Sequence, residues 1–217
     1  MTYEETYQLV TEELLESNFA ALTESDIKTK VVAWAERYCI PEAYALYQMR
    51  TNHAFRLNFA KDPKKQNAAE IAAERFLTEN LPGCTVVNLP NGGPNAMQVV
   101  GGLIIPKSDR NYANAKTVDF RITCPAGNFT VHATHKRTSG DGGAQKNQAK
   151  DVENYLDECQ RNVDPQDIFA ALLDGDYYND ERMKLMRRLY AAEGKIIVCT
   201  SDEFVMSVMP TLIQRTS

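Results

Sequence analysis

Lys116-Thr-Val-Asp-Phe-Arg-Ile-Thr-Cys124 and Asn128-Phe-Thr-Val-His-Ala-Thr-His-Lys136, with Pro125-Ala-Gly127 between them, are the stretch whose reading decides the architecture. Both runs alternate as half-buried strands do, and a three-residue turn rich in chain-reversing residues predicts an antiparallel hairpin. Asp119 stands mid-strand, where a β-branched or aromatic residue is expected. In the second strand, alternation sets His132, Thr134 and Lys136 on one face and Val131, Ala133 and His135 on the other.

Downstream of the hairpin, a loop over 137–143 leads into an amphipathic helix over 144–161. A strand follows at 168–173, a helix at 180–192, a strand at 195–200 and a last helix opened by Ser201-Asp-Glu203, whose carboxylates suit a helix N-terminus. Upstream, 84–89 and 97–105 read as two strands joined by Pro90-Asn-Gly-Gly-Pro-Asn95. Before them the spacing predicts four helices: 3–19; a second capped by Ser25 or Asp26 and ended at Ile40-Pro41; 41–60; and 64–81, stopped by Pro82-Gly83. The fold class is therefore α/β, a mixed central sheet flanked by helices with a helical N-terminal extension. Residues 1–66 form the helical region and 67–217 the α/β core. The strand after the crossover helix is expected to run parallel to its partner.

Composition narrows the function classes. At 217 residues the chain buries a core without covalent staples. Cys39, Cys84, Cys124, Cys159 and Cys199 show neither C-x-x-C pairs nor zinc-ligand spacing, which predicts reduced structural thiols and a cytoplasmic protein. No apolar run reaches the length of a membrane span, and residues 1–16 lack the pattern of a cleaved signal. The net charge of −5 argues against a polyanionic partner, but its distribution reverses that reading. Residues 50–65 carry five bases against Asp62, and residues 106–150 carry eight against three acids, between strongly acidic segments. Basic stripes on an acidic protein suit a DNA cleft, although a plain solvated face has the same composition.

With Asp119 turned to the Lys136 face, the hairpin holds a hard oxygen ligand beside an ammonium. That pair suits phosphodiester hydrolysis: the carboxylate binds Mg²⁺, which activates a water that the lysine positions. An Asp in one strand, a hairpin and a second strand ending in x-x-Lys resembles the PD-(D/E)XK nucleases, and Lys136 to Gln148 looks like the corresponding segment of type II restriction endonucleases. The similarity extends to 67–77, like the helix that precedes the sheet in that superfamily, and to 169–178. It implies a Mg²⁺-dependent endonuclease with Asp119, Lys136 and the His135 carbonyl at the metal centre. The family usually has an acid two residues before the lysine; here that position is Thr134, a poorer ligand. Glu70 is the first candidate for the migrated acid and Glu74, one turn on, the second.

For DNA contact, Gly140, Gly142 and Gly143 permit close approach of a backbone, Gln145, Asn147 and Gln148 carry amides able to pair with adenine edges, and Arg137 suits guanine or phosphate. Arg50, Asn52, His53, Arg56, Lys61, Lys64 and Lys65 form a second polar-basic segment. The expected partner is double-stranded DNA, cut by a homodimer because one such domain has one Asp/Lys centre. Plainer readings stand beside these: Asp119 as an ion-pair partner of Arg121 or Lys136, the glutamates as surface charges, His132 and His135 as structural histidines, and Tyr177 and Tyr178 as rim packing. Two other functions fit the same residues, a non-cleaving DNA-binding protein on this fold and a metal-independent hydrolase using His132 or His135.

Overall fold

The computed structural model describes residues 1–107, 115–140, 143–162, 167–192 and 195–216, with backbone alone at 65, 126, 143–145 and 215–216. The chain divides into a helical unit, Tyr3–Ile71, and an α/β unit from Ala72 onward, the division falling inside one helix.

In the helical unit, α1 (Tyr3–Ala20) buries Tyr3, Thr6, Tyr7 and Val10, a one-face stripe at helical spacing. α2 (Glu24–Arg37) is capped by Thr23 rather than by Ser25 or Asp26. Asp26 is instead the first-turn partner of a capping box, its carboxylate accepting from the Thr23 backbone N–H while its own N–H donates to the Thr23 hydroxyl. The helix expected over 41–60 is two, α3 (Glu42–Thr51) and α4 (His53–Leu57), broken where the Asn52 side chain accepts from Phe55 N. Val31, Ala35, Ala45, Met49 and Phe59 form this unit's core, with Trp34 and Phe55 in edge contact on it. The last expected helix begins later, as α5 (Ala68–Asn80), because Asn67 takes a left-handed conformation after a 3₁₀ turn over Pro63–Gln66.

The α/β unit is built on a five-stranded sheet in the order β1-β5-β6-β7-β8. Its strands are β1 (Thr85–Asn88), β5 (Phe120–Cys124), β6 (Phe129–Arg137), β7 (Asp167–Asp174) and β8 (Ile196–Cys199). β1, β5 and β6 are antiparallel; β6, β7 and β8 are parallel, as the crossover rule requires. The crossovers are α6 (Gly143–Cys159) and α7 (Asp180–Tyr190). Val152, Tyr155, Leu156 and Cys159 of α6 share one core with Met183 and Met186 of α7 and with Phe169, Ala171 and Leu173 of β7. Tyr177 and Tyr178 are buried in that core rather than packed at a rim. After β8, α8 (Ser201–Glu203) runs through a π-helical turn into α9 (Met209–Thr216).

A second sheet, in the order β3-β2-β4, is inserted between β1 and β5. It corrects two expectations. The single strand read over 97–105 is a hairpin, β2 (Met97–Val100) and β3 (Leu103–Pro106), reversed at Gly101 and Gly102, which both have positive φ as a two-residue hairpin turn demands. The strand read over 116–124 is interrupted: β4 (Lys116–Thr117) pairs with β2, and only from Phe120 does the chain pair with β1 and β6.

The cysteines are not all thiols. Cys84 and Cys124 face each other one step beyond the Thr85–Thr123 pair, with Cα atoms 4.4 Å apart, and are joined by a disulfide. That is the spacing of directly opposed residues in a non-hydrogen-bonded antiparallel pair, so the ladder itself brings the sulfurs together. Cys39, Cys159 and Cys199 are free. No helix among the described residues is long and apolar enough to cross a membrane.

Candidate functional site

The chain changes sheets at Val118 and Asp119. Val118 N donates to Met97 O in the small sheet; the next amide, Asp119 N, donates to Ala133 O in the large one, and Leu89 N donates to Asp119 O. Asp119 is thus held by its backbone on both sides at the junction of two sheets, and the residue is 4% exposed. Three groups from β6 converge on its Oδ2. The Thr134 hydroxyl donates at 2.9 Å, the His135 backbone N–H donates at 2.8 Å, and Lys136 Nζ lies at 3.6 Å. Among the described residues no donor reaches Oδ1. The expected sharing of one face by Asp119, Thr134 and Lys136 is what the hairpin register produces.

A cavity of about 220 Å³ opens over this carboxylate. Asp119, Thr134 and Lys136 wall it from the large sheet; Gln98, Lys107 and Lys116 come from the small sheet and its end. α6 supplies Asp151, whose Oδ1 is 2.5 Å from Lys116 Nζ. Gln98 is 3% exposed, and among the described residues its Nε2 has no hydrogen-bond partner. Sequence reading missed Gln98, Lys107, Lys116 and Asp151. Gln98 carried a signal of the kind that singled out Asp119, a polar side chain inside an apolar strand. Asp151 carried none, being one acid among many in an acidic segment.

The other candidates fall elsewhere. The His135 ring lies on the opposite face of β6, buried, with Nε2 3.2 Å from Asp174 Oδ2. Asp174 in turn accepts from Ser201 N and Oγ. The imidazole is therefore part of a buried polar network at the start of α8, and the role of base toward the Asp119 cavity is corrected. What His135 gives the site is its backbone. His132 packs against Phe169 and sits 3.3 Å from Asp167. Burial lowers its pKa, the Asp167 carboxylate opposing. Behind the site, Tyr155 donates to His132 O at 2.6 Å; burial, then Cys159 and Asp119, push its phenol well above the ordinary value.

Glu74 accepts from Asn88 Nδ2 at 2.9 Å, which ties it to β1. Glu70 belongs to the helical unit, on the first turn of α5. In that unit Arg50 and Lys61 are exposed, while Asn52, His53 and Arg56 have local partners: the α4 cap, the Glu16 carboxylate at 2.7 Å, and the Phe19 ring. Arg137 Nη1 donates to Ser139 Oγ, Asn147 is exposed, and Gln148 accepts from the Thr138 hydroxyl. Gly142 and the Gln145 side chain lie outside the described residues. So does the Lys65 side chain.

No family model matches this chain, and it matches neither a curated protein nor a solved structure. Its chemistry is argued from the site alone.

Mg²⁺ is characteristically bound through one or two carboxylates, the rest of its shell being water and substrate oxygen. Asp119 and Asp151 are the two carboxylates that line this cavity. Among the described residues no cluster of three or more His, Cys, Asp or Glu is assembled.

Proposed function

We propose that this protein is a Mg²⁺-dependent endonuclease that hydrolyses phosphodiester bonds of double-stranded DNA at a short specific site, as type II restriction enzymes do. The observation that supports this reading most is the buried Asp119 carboxylate with Lys136 Nζ 3.6 Å away at a cavity walled by further lysines. The antiparallel β5–β6 hairpin, followed by the α6 crossover to parallel β7, is also the arrangement that the resemblance to the PD-(D/E)XK nucleases implies.

Asp119 and Asp151 would hold Mg²⁺, and the chemistry it would supply there is polarisation of a phosphoryl oxygen and a lowered pKa for a water. The protein's own groups supply the rest. Thr134 and the His135 N–H hold Oδ2 of Asp119 and orient the carboxylate. Lys136 hydrogen-bonds and positions the attacking water, and its charge stabilises the extra negative charge that develops on the phosphoryl group. The water oxygen bonds to phosphorus as the P–O bond to the leaving sugar oxygen breaks; the attacking water gives its proton to solvent, and the departing sugar oxygen takes one from solvent to leave as the alcohol. Lys107 and Lys116 draw the phosphate backbone in. Asp151 takes the place of the acid missing at Thr134, since it walls the same cavity; Glu70 is its competitor. Arg137, Asn147 and Gln148 beside the end of β6, with Gln145, are the proposed base and backbone contacts, and a homodimer accounts for cutting both strands. As an enzyme of cellular DNA it is assigned to the cytoplasm on this reading alone, since the Cys84–Cys124 disulfide removes the reduced-thiol argument for that compartment.

Supercoiled plasmid incubated with the protein and Mg²⁺ should be nicked and linearised, EDTA should stop it, and Asp119→Asn should abolish it while DNA binding stays within about tenfold. Cleavage that persists in EDTA or in Asp119→Asn would overturn the assignment, the first in favour of a metal-independent hydrolase. The neutral Thr134 favours a second reading, a DNA-binding protein that does not cleave. Sequence-specific binding by an undegraded plasmid shift, with no nicking at any Mg²⁺ concentration, would select it.

A further inference from the structure

We infer that Gln98 is a substrate-contacting residue that donates its side-chain amide to a phosphoryl oxygen in the Asp119 cavity, an inference that rests on the nuclease reading for the identity of the phosphate. Gln98 is on β2, the middle strand of the small sheet, opposite Ile105 on one side and Thr117 on the other. Its neighbour Val99 faces the core shared with α6. Alternation turns Gln98 to the other face, and there it meets the cavity.

A carboxamide in that place is anomalous unless something binds it. Burying an amide N–H without an acceptor is unfavourable, and a strand interior is ordinarily filled with an apolar side chain. Gln98 is almost wholly buried, and among the described residues Nε2 has no acceptor. The missing partner is an acceptor oxygen, because an amide nitrogen only donates. The walls specify its charge. Lys107, Lys116 and Lys136 set three ammonium groups against the two carboxylates of Asp119 and Asp151, so the cavity is net positive before any cation binds. The two carboxylates are already matched, Asp119 by Lys136 and Asp151 by Lys116. A phosphoryl oxygen satisfies both demands. The sheet switch accounts for the geometry: Asp119 and Lys136 reach the cavity from one sheet, Gln98 from the other, so a phosphate seated between them is gripped from both.

The test compares Gln98→Met, which keeps length and removes the donor, with Gln98→Glu, which keeps shape and adds a repelling charge. With a short duplex as substrate, Gln98→Met should raise KM roughly tenfold, the order expected of one hydrogen bond to a charged group, with a smaller change in kcat. Gln98→Glu should raise it further. At the same time Gln98→Met should raise the melting temperature, because the fold no longer carries an unpartnered amide. An unchanged KM with a lowered melting temperature would overturn the proposal and make Gln98 a structural residue.

A second measurement is independent of cleavage. In ¹⁵N-labelled wild-type protein with EDTA, the side-chain amide signals absent from Gln98→Met should shift on addition of the duplex. Inorganic phosphate forms the second arm: a shift with both means that the phosphoryl group alone suffices, and a shift with duplex alone means that the diester backbone delivers it. No shift with either overturns the proposal. A shift without any plasmid nicking keeps it while sinking the nuclease reading.

Discussion

Reduction of the Cys84–Cys124 bond is expected to destabilise the α/β unit by about 4 kcal/mol. The two residues are 40 apart in sequence, and closing a loop of that length in the unfolded chain removes entropy worth ~4 kcal/mol at 25 °C. The native state contributes little to the difference, because the β1–β5 ladder already places the two Cα atoms 4.4 Å apart. At about 2–4 °C per kcal/mol for a domain of this size, the melting temperature should fall by roughly 8–16 °C. Thermal unfolding followed by circular dichroism, with and without a phosphine reductant, gives the number. The double variant Cys84→Ala/Cys124→Ala should show the lower temperature and no response to reductant. Cys39, Cys159 and Cys199 are free and should not respond. A sample whose mass confirms the bond, yet whose melting temperature moves by less than about 2 °C on reduction, would refute the loop-entropy argument. Plasmid nicking at 25 °C should survive reduction, since the ladder that holds Asp119 does not depend on the sulfurs.

The remaining predictions concern the acid and the pH. Titrating Mg²⁺ against nicking rate, Asp151→Asn should raise the metal requirement more than Glu74→Gln, whose carboxylate is tied to Asn88; a larger effect from Glu70→Gln than from Asp151→Asn would return the ligand role to the helix that precedes the sheet. His132, held below its ordinary pKa of about 6.5 by burial, takes up a proton less readily in the folded chain than in the unfolded one. Its favourable contribution is therefore complete above about pH 6.5 and is lost as pH falls through that value toward the lower native pKa. Urea unfolding at pH 7.5 and 5.5 should show a smaller difference for His132→Gln than for the wild type, and an equal difference would refute the role.

The large sheet was legible because its signals are local. The turn at Pro125-Ala-Gly127, the alternation of β6 and the amphipathic spacing of α6 each lie within a few residues, and together they put Lys136 beside Asp119 and turned the His135 ring away. What was not legible depends on partners distant in sequence. The alternation through Val118 and Asp119 is continuous, so nothing local marks the change of sheet; it follows from Met97 accepting one amide and Ala133 the next. Gly101-Gly102 is a turn signal, but the apolar runs on either side join smoothly enough to read as one strand. Asp151 enters the site only because α6 crosses over the small sheet. The disulfide requires the β1–β5 register, which no spacing of cysteines reveals.

The small sheet leaves the large one after Asn88 and rejoins it at Phe120, and those two residues are direct partners in the β1–β5 ladder. The excursion therefore begins and ends at the same place, as an interchangeable cassette does. Asp119 is on the retained side of the seam, bonded to Ala133, whereas Gln98, Lys107 and Lys116 travel with the cassette. Exchange of the segment, in a laboratory or over evolutionary time, would refit what the cavity grips while leaving its carboxylate and lysine in register.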